Sequence, residues 1–240
     1  MADRAPEVIV ALDVEKGEVA RRLVEGLVSA VDFFKVGSRL FTAEGPSMVR
    51  DLRTAGARIF LDLKFHDIPA TVAGSVRAAT GLGVQMMTLH TWGGVDMMHA
   101  AADEAAGAAA LAGVERPLLV GVTVLTSLSR GDLEGLIPSD AEISDLALRL
   151  AGNAKEAGLD GVVASVHEAS IIKQRFGPDF LVVTPGIRPS GIEAGDQKRV
   201  ATPRAAAEAG SDYLVIGRPI IQASSPLEAA AAIKNELADL

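Results

Sequence analysis

Cysteine is absent from the 240 residues, which excludes disulfides and thiolate metal sites. Aromatic residues make up only 4% of the chain, and basic residues are outnumbered, Lys+Arg 23 against Asp+Glu 31, for a formal net charge of −8. A nucleic-acid binder needs a basic face or stacking rings, so polymeric anions are not expected partners. A small anion held by a few local cations stays open. Long apolar runs are missing as well. The run Val8-Ile9-Val10-Ala11-Leu12 stops at Asp13, and the Ala-rich stretch near 105–114 ends at Glu115-Arg116, both short of the ~18 residues of a membrane span. No Pro/Gly/Ser-rich linker or charge run divides the chain. The expectation is a cytoplasmic globular protein with one domain, 1–240, and no membrane partner.

What is present is a rhythm. At 49% hydrophobic and 22% charged, the chain can bury enough surface to offset its ordering entropy. Eight short, strongly apolar, β-branched runs recur: Val8–Asp13, Asp32–Gly37, Arg58–Lys64, Val84–His90, Leu118–Leu125, Gly161–Val166, Phe180–Gly186 and Tyr213–Gly217. A stretch of helical character follows each. Near-continuous hydrophobicity suits strands buried on both faces, and alternation with helices implies parallel pairing through crossovers. Ser139-Asp140-Ala141-Glu142 reads as a capping box, and Ser225-Pro226-Leu227-Glu228 places Pro at a first helical position. Eight units in this length fit a (β/α)8 TIM barrel of α/β class, with an open doubly wound sheet as the alternative. No Gly-x-Gly-x-x-Gly follows the first run, which favours the barrel.

Barrels of this kind place their chemistry at the carboxyl ends of the strands, and most of the runs end in polar residues. The first ends at Asp13, the second carries Lys35, the third contains Asp62 and Lys64, and the fourth ends at His90. The fifth runs into Thr126-Ser127, the seventh into Arg188 and the eighth into Gly217-Arg218. Within Phe60-Leu61-Asp62-Leu63-Lys64-Phe65, strand alternation puts Asp62 and Lys64 on one face and the leucines on the other. Charges in a buried strand are costly unless paired. A rim salt bridge accounts for one such pair, but two Lys and two or three Asp at one mouth exceed what stability needs. Flanking carboxylates favour the ammonium form of Lys64, a general acid in waiting. Arg218 and Arg188, with Gly191, Gly195 and Gln197 on the long segment after the seventh run, suggest an anion site. Taken singly, each glycine there reads more readily as a turn, and Lys198 and Arg199 as solvated surface charges.

Taken together, Phe60-Leu61-Asp62-Leu63-Lys64-Phe65-His66-Asp67-Ile68-Pro69, Asp32-Phe33-Phe34-Lys35-Val36-Gly37, Thr184-Pro185-Gly186-Ile187-Arg188 and Gly195-Asp196-Gln197-Lys198-Arg199 resemble the bacterial orotidine 5′-phosphate decarboxylases. The likeness runs from Val8 to about Pro226. It implies decarboxylation of orotidine 5′-monophosphate to uridine 5′-monophosphate, a step of de novo pyrimidine biosynthesis, with no metal and no organic cofactor. Carried over residue by residue, it implies that Lys64 protonates carbon 6 of the pyrimidine and that Asp62 lies against the substrate carboxylate. Lys35 would hold the charge network and contact the ribose, as would Asp13. Thr126 and Ser127 would meet the pyrimidine region, and Arg188, Gln197, Gly217 and Arg218 the phosphate. Asp67, with Ile68 and Thr71, would reach into the partner's active site in a homodimer. Ala70 stands where the family commonly has Asn. His66 reads as structural or supporting, and His90 and Trp92 as lining residues. Two other readings remain: a magnesium-dependent sugar-phosphate decarboxylase or aldolase, against which Lys35 stands where such enzymes place an acidic ligand, and a phosphate-binding barrel without catalysis.

Overall fold

In a computed structural model, which describes residues 5–135, 142–189 and 200–238, eight parallel strands close into a barrel in sequence order. They are β1 (Glu7–Ala11), β2 (Phe33–Gly37), β3 (Arg58–Phe65), β4 (Met86–His90), β5 (Leu118–Val122), β6 (Gly161–Val163), β7 (Leu181–Thr184) and β8 (Tyr213–Ile216). The helices are α1 (Gly17–Leu27), α2 (Ser38–Glu44), α3 (Pro46–Thr54), α4 (Pro69–Thr80), α5 (Val95–Ala112), α6 (Ile143–Glu156), α7 (Val166–Phe176), α8 (Pro203–Glu208), α9 (Arg218–Ile221) and α10 (Pro226–Ala238). Closure is completed by β1 pairing with β8, Val8 opposite Leu214 and Val10 opposite Ile216. The open-sheet alternative is excluded, and every apolar run yields a strand. Several strands stop two or three residues before their runs do, because residues such as Val124 and Leu125 stay apolar after leaving the ladder to wall a cavity.

Each strand has two buried faces. The outward one packs under the helices: Phe34 and Val36 of β2, Ile59 and Leu61 of β3, and Met87 and Leu89 of β4 join the apolar stripe of α1 (Ala20, Val24, Leu27) and the small residues of α5 (Ala101, Ala105). The inward one forms a separate plug of Ile9, Ala11, Phe33, Phe60, Met86, Val120, Val183 and Val215. Burying a large apolar side chain is worth about 1.5–3 kcal/mol, so this plug fixes the barrel as a packed core. Gly161 on β6 faces the Leu181 carbonyl so closely that a Cβ would lie 2.2 Å from it, which admits only glycine there.

The helix signals are met unevenly. Pro226 does open α10. Ser139, Asp140 and Ala141 lie outside the described residues; α6 begins at Ile143 with Glu142 at its N-cap. A reciprocal capping box is found instead at α7, where the Glu168 carboxylate accepts the Ser165 backbone N–H at 2.9 Å. The pattern Ser165-Val166-His167-Glu168 carries that signal in the sequence.

Candidate active site

The period-2 alternation that builds the plug also builds the site. Continuing the inward positions one step toward the C-terminal end carries Ile9 and Ala11 to Asp13, Phe33 to Lys35, Phe60 to Asp62, and Val215 to Gly217. These residues floor a cavity of about 610 Å³, whose wall includes Lys64, Thr126, Ser127, Arg188 and Arg218. Of the sequence-derived candidates, Asp13, Lys35, Asp62, Lys64, Thr126, Ser127, Arg188, Gly217 and Arg218 all border it. Gln197, like Gly191, Gly195, Lys198 and Arg199, lies outside the described residues. Asp67, Ile68 and Thr71 sit on the β3–α4 connection and the first turn of α4, exposed and away from this chain's own cavity. There the Ile68 N–H donates to Asp67 Oδ1 at 2.6 Å.

Charge alternates across the floor. Lys64 Nζ lies 2.8 Å from Asp62 Oδ1, Lys35 Nζ lies 3.4 Å from Asp62 Oδ2, and Lys35 Nζ donates to Asp13 Oδ1 at 3.2 Å. Burial alone would raise the Asp62 carboxyl, but the Lys35 and Lys64 ammonium groups beside it hold it below the usual carboxylate range. Burial likewise works against a charged Lys35. The Asp62 and Asp13 carboxylates more than offset it and raise its pKa. Asp62 and Lys35 are each 11% exposed, whereas Lys64 is 38% exposed. The network is therefore anchored in the protein and ends in an ammonium that faces the cavity. Gly37 keeps it intact, since a Cβ there would stand 3.1 Å from Lys35 Nζ.

Lys64 is placed by an irregularity. Between Leu61, opposite Met87, and Phe65, opposite Leu89, β3 advances four residues against two on β4. Lys64 takes φ 51°, a left-handed conformation that no other non-glycine residue shares among those described, at a cost of about 1–3 kcal/mol. Alternation thus points Lys64 to the correct side, but a bulge, not a regular strand, aims it. Thr88, fully buried on β4, accepts the Lys64 N–H at 2.8 Å and donates to Asp62 Oδ1 at 2.9 Å.

Across the barrel, Arg188 is 7% exposed, and its backbone is pinned by a bridge in which its N–H donates to the Ala201 carbonyl at 2.9 Å. Arg218 opens α9 directly after Gly217. Two cavity residues are absent from the sequence reading, Arg39 on α2 and Gln222 after α9. One lies in a short helix and the other just past one, where no strand alternation marks direction. His90 and Trp92 do not border the cavity, contrary to expectation. The Trp92 indole N–H donates to the Thr123 carbonyl at 2.9 Å, and His90 stacks on His66 with ring centroids 5.3 Å apart. Among the described residues, no three His, Cys, Asp or Glu side chains gather as a metal site would require, and no helix is long and apolar enough to cross a membrane.

A closed parallel barrel whose C-terminal mouth holds paired carboxylates and ammonium groups, with two arginines opposite, defines a (β/α)8-barrel enzyme. A sequence model of the orotidine 5′-phosphate decarboxylase / HUMPS family matches residues 6–233. The orotidine 5′-phosphate decarboxylase of Coxiella burnetii (strain RSA 493 / Nine Mile phase I) is 50% identical over 235 residues, 97% of each chain. That of Vibrio cholerae serotype O1 is 51% identical over 221 residues, 92% of this chain and 94% of its own. The crystal structure of orotidine 5′-phosphate decarboxylase from Lactobacillus acidophilus superposes with a TM-score of 0.84 at 39% identity, covering 98% of this chain and 99% of that one. The chain belongs to the orotidine 5′-phosphate decarboxylase / HUMPS family, and the expectations of a TIM barrel and of a decarboxylase both stand.

Proposed function

We propose that the protein decarboxylates orotidine 5′-monophosphate through the Asp62–Lys64 pair, without a cofactor. The observation that carries the reading is the alternating row Asp13–Lys35–Asp62–Lys64, closed by contacts of 3.2, 3.4 and 2.8 Å. In the reaction the bond from carbon 6 to the carboxylate breaks, carbon dioxide departs, and the electron pair left on carbon 6 takes a proton from Lys64 Nζ; water then restores the ammonium. General acid catalysis supplies about 10²–10⁴-fold, or roughly 3–5 kcal/mol of the approximately 8–23 kcal/mol by which enzymes lower barriers. The remainder is assigned to fixed charge. Lys35 and Lys64 meet the developing carbanion already oriented, with no reorganisation during the step. Arg188, Gln197, Gly217 and Arg218 hold the phosphate, Asp13 and Lys35 the ribose, and Thr126 and Ser127 the pyrimidine. Binding energy gathered at the phosphate is then available to the reacting end.

Asp67, Ile68 and Thr71 complete a second subunit's site in a homodimer. Their exposure away from this chain's own cavity supports this, Ile68 being 65% exposed. The test is loss of pyrimidine absorbance when the purified protein meets orotidine 5′-monophosphate, with and without a chelator. Turnover that survives the chelator is expected; no absorbance change overturns the reading, and chelator-sensitive turnover overturns the cofactor-free step. Mixing Lys64→Ala with Asp67→Ala protein should restore part of the activity, and absence of rescue despite subunit exchange refutes the shared site.

A further inference from the structure

We infer that Thr88 is a positioning residue for the reaction, its hydroxyl locking the Asp62 carboxylate and the Lys64 backbone into one unit. The assignment rests on the decarboxylation reading above and adds to it the group that sets the geometry of the charged pair.

The argument begins with the bulge. Where β3 advances four residues against two on β4, the regular ladder is interrupted, and Thr88 is the β4 residue facing the surplus. With the ladder broken there, the Lys64 N–H takes its partner from a side chain. It donates to Thr88 Oγ1 at 2.8 Å, so the hydroxyl oxygen serves as acceptor. The hydroxyl proton is then directed to Asp62 Oδ1 at 2.9 Å. That same carboxylate oxygen accepts Lys64 Nζ at 2.8 Å. One side chain thus touches both ends of the pair: it holds Lys64 in its left-handed conformation, and it fixes the carboxylate plane so that the other oxygen turns toward Lys35, 3.4 Å away. Thr88 itself is fully buried and does not border the cavity, so it acts through its neighbours. A hydroxyl is required for this, because the position needs one acceptor and one donor on the same atom.

Orienting a catalytic pair from behind changes turnover more than substrate affinity. The arginines assigned to the phosphate follow β7 and β8, across the barrel from β4. The experiment compares Thr88→Ser, Thr88→Ala and Thr88→Val by steady-state kinetics on orotidine 5′-monophosphate, with thermal unfolding of each. Ser and Ala both remove the methyl and differ only in the hydroxyl; Val keeps the shape and removes the hydroxyl. Ala and Val should lower kcat by roughly 10–100-fold with KM within about threefold, while Ser stays within about threefold of the parent. The acid limb of the kcat profile should move to higher pH in Ala and Val and stay in place in Ser, since Asp62 loses a donor to its charged form.

Unchanged kcat in Val, or a loss in Ser equal to that in Ala, overturns the assignment. Failure of both Ala and Val to fold also overturns it, because the hydroxyl then serves the barrel alone. A parent protein that leaves the nucleotide untouched overturns the decarboxylation reading and the Thr88 role together, whereas full turnover in all three variants removes only the latter.

Discussion

At the N-terminal end of the barrel, Arg58 on β3 forks onto Asp32 and reaches Glu7, while Arg116 Nη1 donates to both carboxylate oxygens of Asp160, at 2.9 and 2.8 Å. At the C-terminal end, Asp62 sits between Lys35 and Lys64. The lower carboxylates also close the backbone: Asp160 accepts the Leu119 N–H at 2.7 Å, and Asp212, paired with Lys173, accepts the Val182 N–H at 2.6 Å. Those ion pairs finish the sheet. Among the described residues the upper carboxylate has only side-chain partners, namely two ammonium groups and a hydroxyl, and its cations open onto a cavity. Guanidinium forks suit fixed pairs, and ammonium groups suit charges that must act on something else. A buried pair contributes little net stability once its desolvation is counted. The upper row is therefore explained by chemistry, and the lower one by architecture.

The sharpest way to break this contrast is at Lys64. Lys64→Ala should lower kcat by at least about 10³-fold, beyond a typical general-acid loss because fixed charge is removed as well. Affinity for uridine 5′-monophosphate, measured by calorimetry, should persist. Near-normal turnover would place Lys64 among the architectural ions. Arg218→Ala tests the opposite wall. Losing a charge-assisted fork to phosphate, about 3 kcal/mol, should raise KM by about 100-fold and leave affinity for dephosphorylated orotidine unchanged. Equal losses for both ligands would remove Arg218 from the phosphate site. At the lower end, Arg116→Ala should reverse the pattern. Stability measured by denaturant should fall by about 1–2 kcal/mol, with kcat and KM as in the parent.

How much of this is legible in the sequence follows from where periodicity holds. Asp13, Lys35 and Asp62 are readable because each continues the inward alternation of an apolar strand, and barrel geometry says which end matters. Lys64 is readable as to side but not as to mechanism: two surplus residues on β3 and a left-handed backbone leave no mark in Asp62-Leu63-Lys64. Thr88 hides in Met86-Met87-Thr88-Leu89, where a buried threonine is an ordinary strand residue until the residues it bonds are known. Arg39 lies in α2 after β2 and Gln222 just past α9 after β8, where direction is set by tertiary packing. His90 misleads for the opposite reason. It ends a strand as the site residues do, yet its ring stacks on His66 and does not border the cavity.

That stack supplies the smallest expected effect. Burial, reinforced by His66 and Lys64 nearby, pushes the His90 imidazole down to about 4 from an ordinary 6.5, and its buried Nδ1 finds no hydrogen-bond partner among the described residues. Between those two values the unfolded chain binds a proton at this position and the folded one does not, so stability falls as pH drops from about 6.5 to about 4. Below about 4 both states are protonated, and this contribution stops changing. A ring without titratable nitrogens removes the difference. His90→Phe, which keeps a planar ring against His66, should flatten the stability profile across that window, measured by denaturant midpoints at successive pH values. A His90→Phe profile as steep as the parent's would move the acid sensitivity away from the His66–His90 stack.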